Sequence, residues 1–185
     1  MFFDRDGVLS QAILVGGRPH PPRNESELHL ERGAAAACRR LREAGVPMVM
    51  VTNQPDIARG TLSRETVDRL NALLQASLLL DAVYVCPHDD VDGCACRKPA
   101  PGMLLDAARD LGLDLARSVM VGDRWKDVEA GRNAGCATVF VDRGYQERKP
   151  ESADLIVEEL PEAVDWILAR VGAGRKGGEG IAITH

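Results

Sequence analysis

Residues 45–54 read Gly45-Val46-Pro47-Met48-Val49-Met50-Val51-Thr52-Asn53-Gln54, and this stretch decides the fold. Gly45 stops a run rich in Ala, Arg and Leu over Glu31–Ala44, as glycine commonly does at a helix C-terminus. The apolar run Val46–Val51 then has the length and character of a β-strand. It ends on a hydroxyl and two amides, which are groups able to bind a ligand. Helix, apolar strand and polar strand end, in that order, predict a mostly parallel sheet covered by helices.

The alternation continues on both sides of this stretch. Ala82–Cys86, Val119–Val121, Ala137–Val141 and Asp154–Val157 are the other strand candidates. Between them, Ser63 caps a helix in which Val67, Leu70, Leu74 and Leu78 share one face. Pro101 opens a helix carrying Leu104, Leu105, Ala108 and Leu111, Trp125–Ala134 stops at Gly135, and Pro161–Val171 closes the fold. The expected architecture is an α/β, three-layer, Rossmann-like parallel sheet with helices on both faces. Residues 1–171 form its single domain, and 172–185, Gly-rich and polar, are a flexible tail. Gln11–Leu30, with its Gly-Gly and Pro-Pro pairs, reads as a long loop. Only Met1, Phe2 and Phe3 precede Asp4, too few for an ordinary central strand. Either that strand is stunted or the recorded start lies downstream of the true one.

Bulk properties narrow the function classes. The 185 residues are 45% hydrophobic and 28% charged with a net charge of −5, which weighs against a nucleic-acid-binding surface. No apolar stretch approaches the roughly 18 residues that cross a bilayer. Asp4 and Asp6 stand where a secretion signal would be apolar. A cytoplasmic monomer acting on a small molecule, with no nucleic-acid or membrane partner, is the expectation.

In such sheets ligands bind beyond the carboxyl ends of the strands. The groups there are Asp4-Arg5-Asp6-Gly7, Thr52-Asn53-Gln54, Arg97-Lys98-Pro99, and Gly122-Asp123 with Asp127. That set suits phosphoryl transfer. Asp4 can attack phosphorus and form an aspartyl-phosphate. Asp6 can protonate the leaving oxygen and then activate water. Carboxylates and a phosphate dianion repel one another, so a divalent cation is needed, and Asp4 with Asp123 suits Mg2+. Thr52, Asn53 and Lys98 would hold the transferring oxygens. Each piece alone is common in turns and helix caps; their order, each after an apolar run, is what points to chemistry.

The four pieces together resemble the motifs of the haloacid dehalogenase superfamily, specifically its capless or small-capped phosphatases of subfamily IIIA. Asp4-Arg5-Asp6-Gly7 matches the first motif, Thr52-Asn53 the second, Lys98 the third, and Gly122-Asp123 with Asp127 the fourth. The resemblance implies a nucleophilic Asp4 and an acid/base Asp6. It also implies Mg2+ held by the Asp4 side chain, the Asp6 backbone carbonyl and Asp123, with the Arg124 backbone as a weaker ligand.

Cys86-Pro87-His88, then five residues, then Cys94-Ala95-Cys96 is a four-ligand zinc pattern with no open position, and so a structural one. It leads directly into Arg97 and Lys98, so a bound zinc would fix the loop that presents them. Cys38 and Cys136 have no partner at ligand spacing and read as core residues. Two subgroups resemble the chain in carrying such a loop, the heptose-1,7-bisphosphate 7-phosphatases and the histidinol phosphatases. Thr52–Gly60 and Arg97–Met103 favour the first, whereas the short His88–Cys94 gap, Pro55 and the long Gln11–Leu30 loop depart from it. A sugar phosphate is the expected substrate. Gln54, Arg97 and Arg59 would contact it, and Arg124 with them could grip a second phosphate. His20 and His29 are expected at the surface. Two other classes share some of these features: a response-regulator receiver, which would place its phosphorylated Asp after a later strand and lack the zinc loop, and an inactive zinc-stabilised binding protein on the same fold.

Overall fold

The computed structural model describes residues 1–172; the expected tail, apart from Gly172, lies outside the described residues. Its elements run β1 (Phe2–Phe3), β2 (Ile13–Val15), β3 (Arg18–His20), α1 (Ala34–Glu43), β4 (Val49–Asn53), α2 (Arg64–Leu78) and β5 (Ala82–Cys86). They continue α3 (Gly102–Leu111), β6 (Val119–Gly122), α4 (Trp125–Asn133), β7 (Ala137–Val141), β8 (Leu155–Val157) and α5 (Leu160–Gly172). Six strands pair in the order β5-β4-β1-β6-β7-β8, and each pairing is parallel. β2 and β3 form a separate antiparallel hairpin.

β1 is only two residues long, yet it is central. Phe2 pairs with Val49 and Met120, and Phe3 with Met50 and Val121. The backbone N–H of Asp4 extends this ladder to the Val121 carbonyl at 2.9 Å. Two residues suffice because both phenyl rings are fully buried, each worth roughly 1.5–3 kcal/mol. They face opposite ways, as alternation along a strand requires. Phe3 joins Ala37, Leu41, Leu74 and Ile167 of α1, α2 and α5, whereas Phe2 joins Leu104, Ala107 and Ala130 of α3 and α4. The sheet is thus covered on both faces. Cys38 and Cys136 are buried in these two cores.

Two expectations are corrected. The strand expected at Val46–Val51 runs Val49–Asn53. Pro47 cannot donate to a ladder, while Thr52 and Asn53, though polar, stay in register with Val85 and Cys86 of β5. Two site residues therefore sit on the strand itself, held more rigidly than in a loop. The expected long loop Gln11–Leu30 contains the β2–β3 hairpin and a 3-10 turn at Glu25–Glu27. Its turn residues Gly16 and Gly17 have φ of 58° and 76°; two consecutive positive φ values are what a tight hairpin turn with the correct twist demands.

Candidate active site

The carboxyl ends of β1, β4 and β6 meet at a cavity of about 310 Å³ lined by Asp4, Asp6, Thr52, Asn53, Lys98 and Asp127, among others. Lys98 is the hub. It is 2% exposed, and its Nζ donates to Asp4 Oδ1 at 2.6 Å and to the Val51 carbonyl at 2.9 Å. The same Nζ lies 2.6 Å from Asp127 Oδ1. Carboxylate oxygens of Asp4, Asp123 and Asp127 all lie within 4.8 Å of one another. The first strand's aspartate therefore meets the third- and fourth-motif residues, as the sequence predicts.

Charge does not balance here. Three buried carboxylates face one ammonium. Burial works against the charge on Lys98, but Asp127 and Asp4 outweigh it and hold its pKa above the ordinary value. Burial pushes Asp4 up to about 6; Lys98 limits the rise while Asp127 and Asp6 add to it. Burial, then Asp4 and Asp127, raise Asp123 well above the carboxylate range, against a partial offset from the neighbouring Tyr145 hydroxyl. Neither Asp123 oxygen has a hydrogen bond of good geometry among the described residues. A buried charge without a partner costs several kcal/mol. A hard divalent cation would supply the missing charge and take oxygens that nothing else uses. Two glycines let the acids come so close. A Cβ on Gly7, whose φ is +86°, would overlap Asp123 Oδ2, and one on Gly122 would overlap the Asp127 side chain.

Asp6 is held differently. Its Oδ1 accepts from Arg5 Nε at 3.0 Å and Ser10 Oγ at 3.1 Å, and its Oδ2 from Arg5 Nη2 at 2.9 Å and Gln54 Nε2 at 3.1 Å. These four donors fill the lone pairs of the carboxylate. Arg5 is fully buried and is tied in turn to Asn71 Oδ1 of α2 at 2.9 Å. Before Asp6 can take up a proton, one donor must let go. Ser10 is the natural one, because its single hydroxyl proton has a second acceptor in the Arg5 carbonyl at 3.3 Å. Arg5, Ser10 and Asn71 escaped the sequence reading; Arg5 stood inside the motif, but nothing there signalled that it turns inward.

The expected substrate contacts are largely engaged with the protein. Asn53 Oδ1 accepts from Lys98 N at 3.1 Å and its Nδ2 donates to Lys98 O at 3.0 Å, so it splints the loop carrying the lysine. The Gln54 amide bridges Asp6 to Thr52 Oγ1. Arg59 forks onto Asp89 at 2.6 and 2.8 Å. Arg97 donates to Asp90 at 2.6 Å and to the His88 carbonyl at 3.1 Å. Arg124 forks onto Glu147 at 2.9 and 2.6 Å. The three arginines line the cavity, but each already has a carboxylate. Arg18 and His20 of β3 also line it; His20 is exposed, as expected, and so is His29.

The thiol cluster lies beside this site. Cys86 ends β5, and ligand atoms of Cys86, His88, Cys94 and Cys96 lie within 4.8 Å of one another. The Sγ–Sγ separations are 3.2, 3.4 and 3.7 Å, and His88 Nδ1 is 3.3 Å from Cys96 Sγ. Thiolates around a tetrahedral zinc stand about 3.8 Å apart, so the four are poised to close on one ion. Burial opposes ionisation of Cys94, but hydrogen bonds from Cys96 and the Arg97 backbone bring its thiol down to about 7. A Cβ on Gly102 would overlap the Ala95 carbonyl; glycine there seats the loop directly on the start of α3.

Comparison with known proteins agrees with this geometry. Residues 95–163 match the Hydrolase_like family model, described as HAD-hydrolase-like. The chain is 40% identical over 190 residues to the D-glycero-D-manno-heptose-1,7-bisphosphate 7-phosphatase of Thermosynechococcus vestitus, covering 90% of this chain and 94% of that protein. It is 38% identical to the D-glycero-beta-D-manno-heptose-1,7-bisphosphate 7-phosphatase of Yersinia pestis, covering 91% of this chain and 88% of that one. The crystal structure of D,D-heptose 1,7-bisphosphate phosphatase from B. bronchiseptica, complexed with magnesium and phosphate, superposes with a TM-score of 0.79 at 33% identity, covering 91% of this chain and 97% of that one. With relatives of this identity matched over nearly their whole length, the chain belongs to the haloacid dehalogenase-like hydrolases, in the family of the heptose-1,7-bisphosphate 7-phosphatases.

Proposed function

We propose that this chain is a magnesium-dependent phosphatase that removes one phosphate from a sugar bisphosphate, with heptose 1,7-bisphosphate as substrate and the 7-phosphate as the group removed. One observation carries the reading: three buried carboxylates, one of them without a well-formed hydrogen bond, cluster with a single buried lysine beside a polar cavity. Asp4, the Asp6 carbonyl and Asp123 would hold Mg2+, with the Arg124 backbone beside them. When bound, the ion neutralises charge on the phosphate oxygens and offsets repulsion between them and the carboxylates.

The chain's own residues then divide the work. Lys98 holds Oδ1 of Asp4, leaving the other oxygen to attack phosphorus, and its ammonium stabilises the charge that develops. Thr52, fixed on β4, faces the same cavity and offers its hydroxyl to a transferring oxygen. The phosphorus–oxygen ester bond breaks as the bond to Asp4 forms, and Asp6 gives its proton to the departing sugar oxygen. Asp6 next takes a proton from water, which attacks the aspartyl-phosphate and frees phosphate and Asp4. Giving up that proton leaves Asp6 a carboxylate, whose oxygens the surrounding donors Arg5, Ser10 and Gln54 keep aimed for the water step.

Zn2+ is proposed at Cys86, His88, Cys94 and Cys96, in a structural role. It would tie β5 to the segment that begins Arg97-Lys98. Histidinol phosphate is the alternative substrate, on the short spacing between His88 and Cys94. Release of phosphate from heptose 1,7-bisphosphate, fructose 1,6-bisphosphate and histidinol phosphate, assayed side by side with Mg2+, separates the readings. The heptose ester should give the highest kcat/KM, and inactivity towards all three would support a binding protein instead.

A further inference from the structure

The cavity is ringed by cations, yet most are already neutralised. Arg59, Arg97 and Arg124 are tied to Asp89, Asp90 and Glu147, Lys126 sits 3.3 Å from Asp90, and Lys98 serves Asp4 and Asp127. A second phosphate arriving at any of these would meet a carboxylate on the same cation. Asp90 and Glu147 line the cavity themselves, so the repulsion falls where the substrate would lie. Arg18 differs. It lines the same cavity from the hairpin that rises between β1 and α1, and no carboxylate pairs with it among the described residues. Its guanidinium keeps its full set of donors, in a planar fork that fits two phosphate oxygens at once.

We infer that Arg18 is the residue that selects for a second phosphoryl group, on the leaving-group side of a sugar bisphosphate. The inference rests on the phosphatase reading above and adds the residue that distinguishes a bisphosphate from a monophosphate. The hairpin suits that task. Its tight Gly16-Gly17 turn fixes the direction of β3, and the Gly17 carbonyl accepts from Gln146 N at 3.3 Å, pinning it beside the loop that carries Glu147. The hairpin strands are otherwise exposed, with Leu14 and Val15 about 60% accessible, so a change at Arg18 removes no core packing.

The test compares KM for fructose 1,6-bisphosphate with KM for fructose 6-phosphate in the unaltered chain, Arg18→Ala and Arg18→Lys, all loaded with Mg2+ and zinc. Arg18→Ala should raise KM for the bisphosphate about tenfold more than KM for the monophosphate, the size of one charge-assisted contact, with kcat little changed. Arg18→Lys should recover part of that preference, since it keeps the charge but loses the fork. Equal changes for the two substrates, or none, would overturn the assignment while leaving the phosphatase reading in place. Failure of the unaltered chain to hydrolyse any phosphate ester would overturn both.

Discussion

The two ligand clusters of this molecule are built on opposite principles. Cys86, His88, Cys94 and Cys96 come from one short segment, and their donor atoms face one another. Asp4 on one side and Asp123 with Asp127 on the other come from stretches far apart in the chain, brought together beside a cavity. The thiol cluster is closed and local, so its ion would be consumed in holding a loop. The acid cluster is open and assembled only by the finished sheet, and its unpartnered Asp123 oxygens are left for something from outside. Closed sites stabilise, whereas open sites bind and react. The difference teaches that one sheet edge can carry two ligand sets with separable duties.

The separation can be attacked directly. Asp4→Asn should lower kcat/KM by a factor on the order of 10⁴ or more, since it removes the nucleophile of a cooperating set, while zinc content stays at one equivalent. Cys96→Ser should do the reverse in kind. It should cost about 4 kcal/mol of stability, or about 10 °C in Tm, as loss of a structural metal does, and raise KM because Arg97 and Lys98 follow it in the chain. Melting and kinetics unchanged by Cys96→Ser would show that the thiols hold no structural ion.

Asp123→Asn gives a smaller effect of opposite sign in the metal-free protein. It replaces a buried carboxyl group that burial, Asp4 and Asp127 disfavour in its charged form, so Tm without Mg2+ should rise by about 2–4 °C per kcal/mol recovered, while the stabilisation gained on adding Mg2+ disappears. A fall in Tm would mean that Asp123 has a partner in solution. The smallest change is expected for Asn53→Ala. It removes the two hydrogen bonds by which the Asn53 side chain splints the Lys98 backbone, and should lower kcat/KM about tenfold at nearly constant zinc content.

What was legible in the sequence follows the same division. The thiols could be read because their spacing alone encodes the site. Asp4 and Asp123 could be read because each follows an apolar run, and strand ends on a parallel sheet converge whatever the loops do; Lys98 could be read from its place with Arg97 and Pro99 just before the helix that Pro101 opens. Pairing across loops could not be read. Nothing in the sequence couples Arg124 to Glu147 or Arg59 to Asp89, since those contacts depend on where exposed segments come to rest. Arg5 was hidden for a related reason: a cation in a motif usually faces solvent, and its burial is made tolerable only by Asp6 and by Asn71, far away on α2. The hairpin did carry a signal, Gly16-Gly17 flanked by Ile13-Leu14-Val15, and a stricter use of turn chemistry would have found it.

Chemical trapping of the phosphorylated enzyme tests the account at its centre. The chain would be mixed with heptose 1,7-bisphosphate and Mg2+, quenched in acid within one turnover and reduced with borohydride. Peptide mass spectrometry would then look for an acyl phosphate converted to homoserine. Homoserine at position 4, dependent on Mg2+ and missing from Asp4→Asn, is the result predicted here. Full turnover with position 4 unreduced, or reduction at another carboxylate, would contradict it.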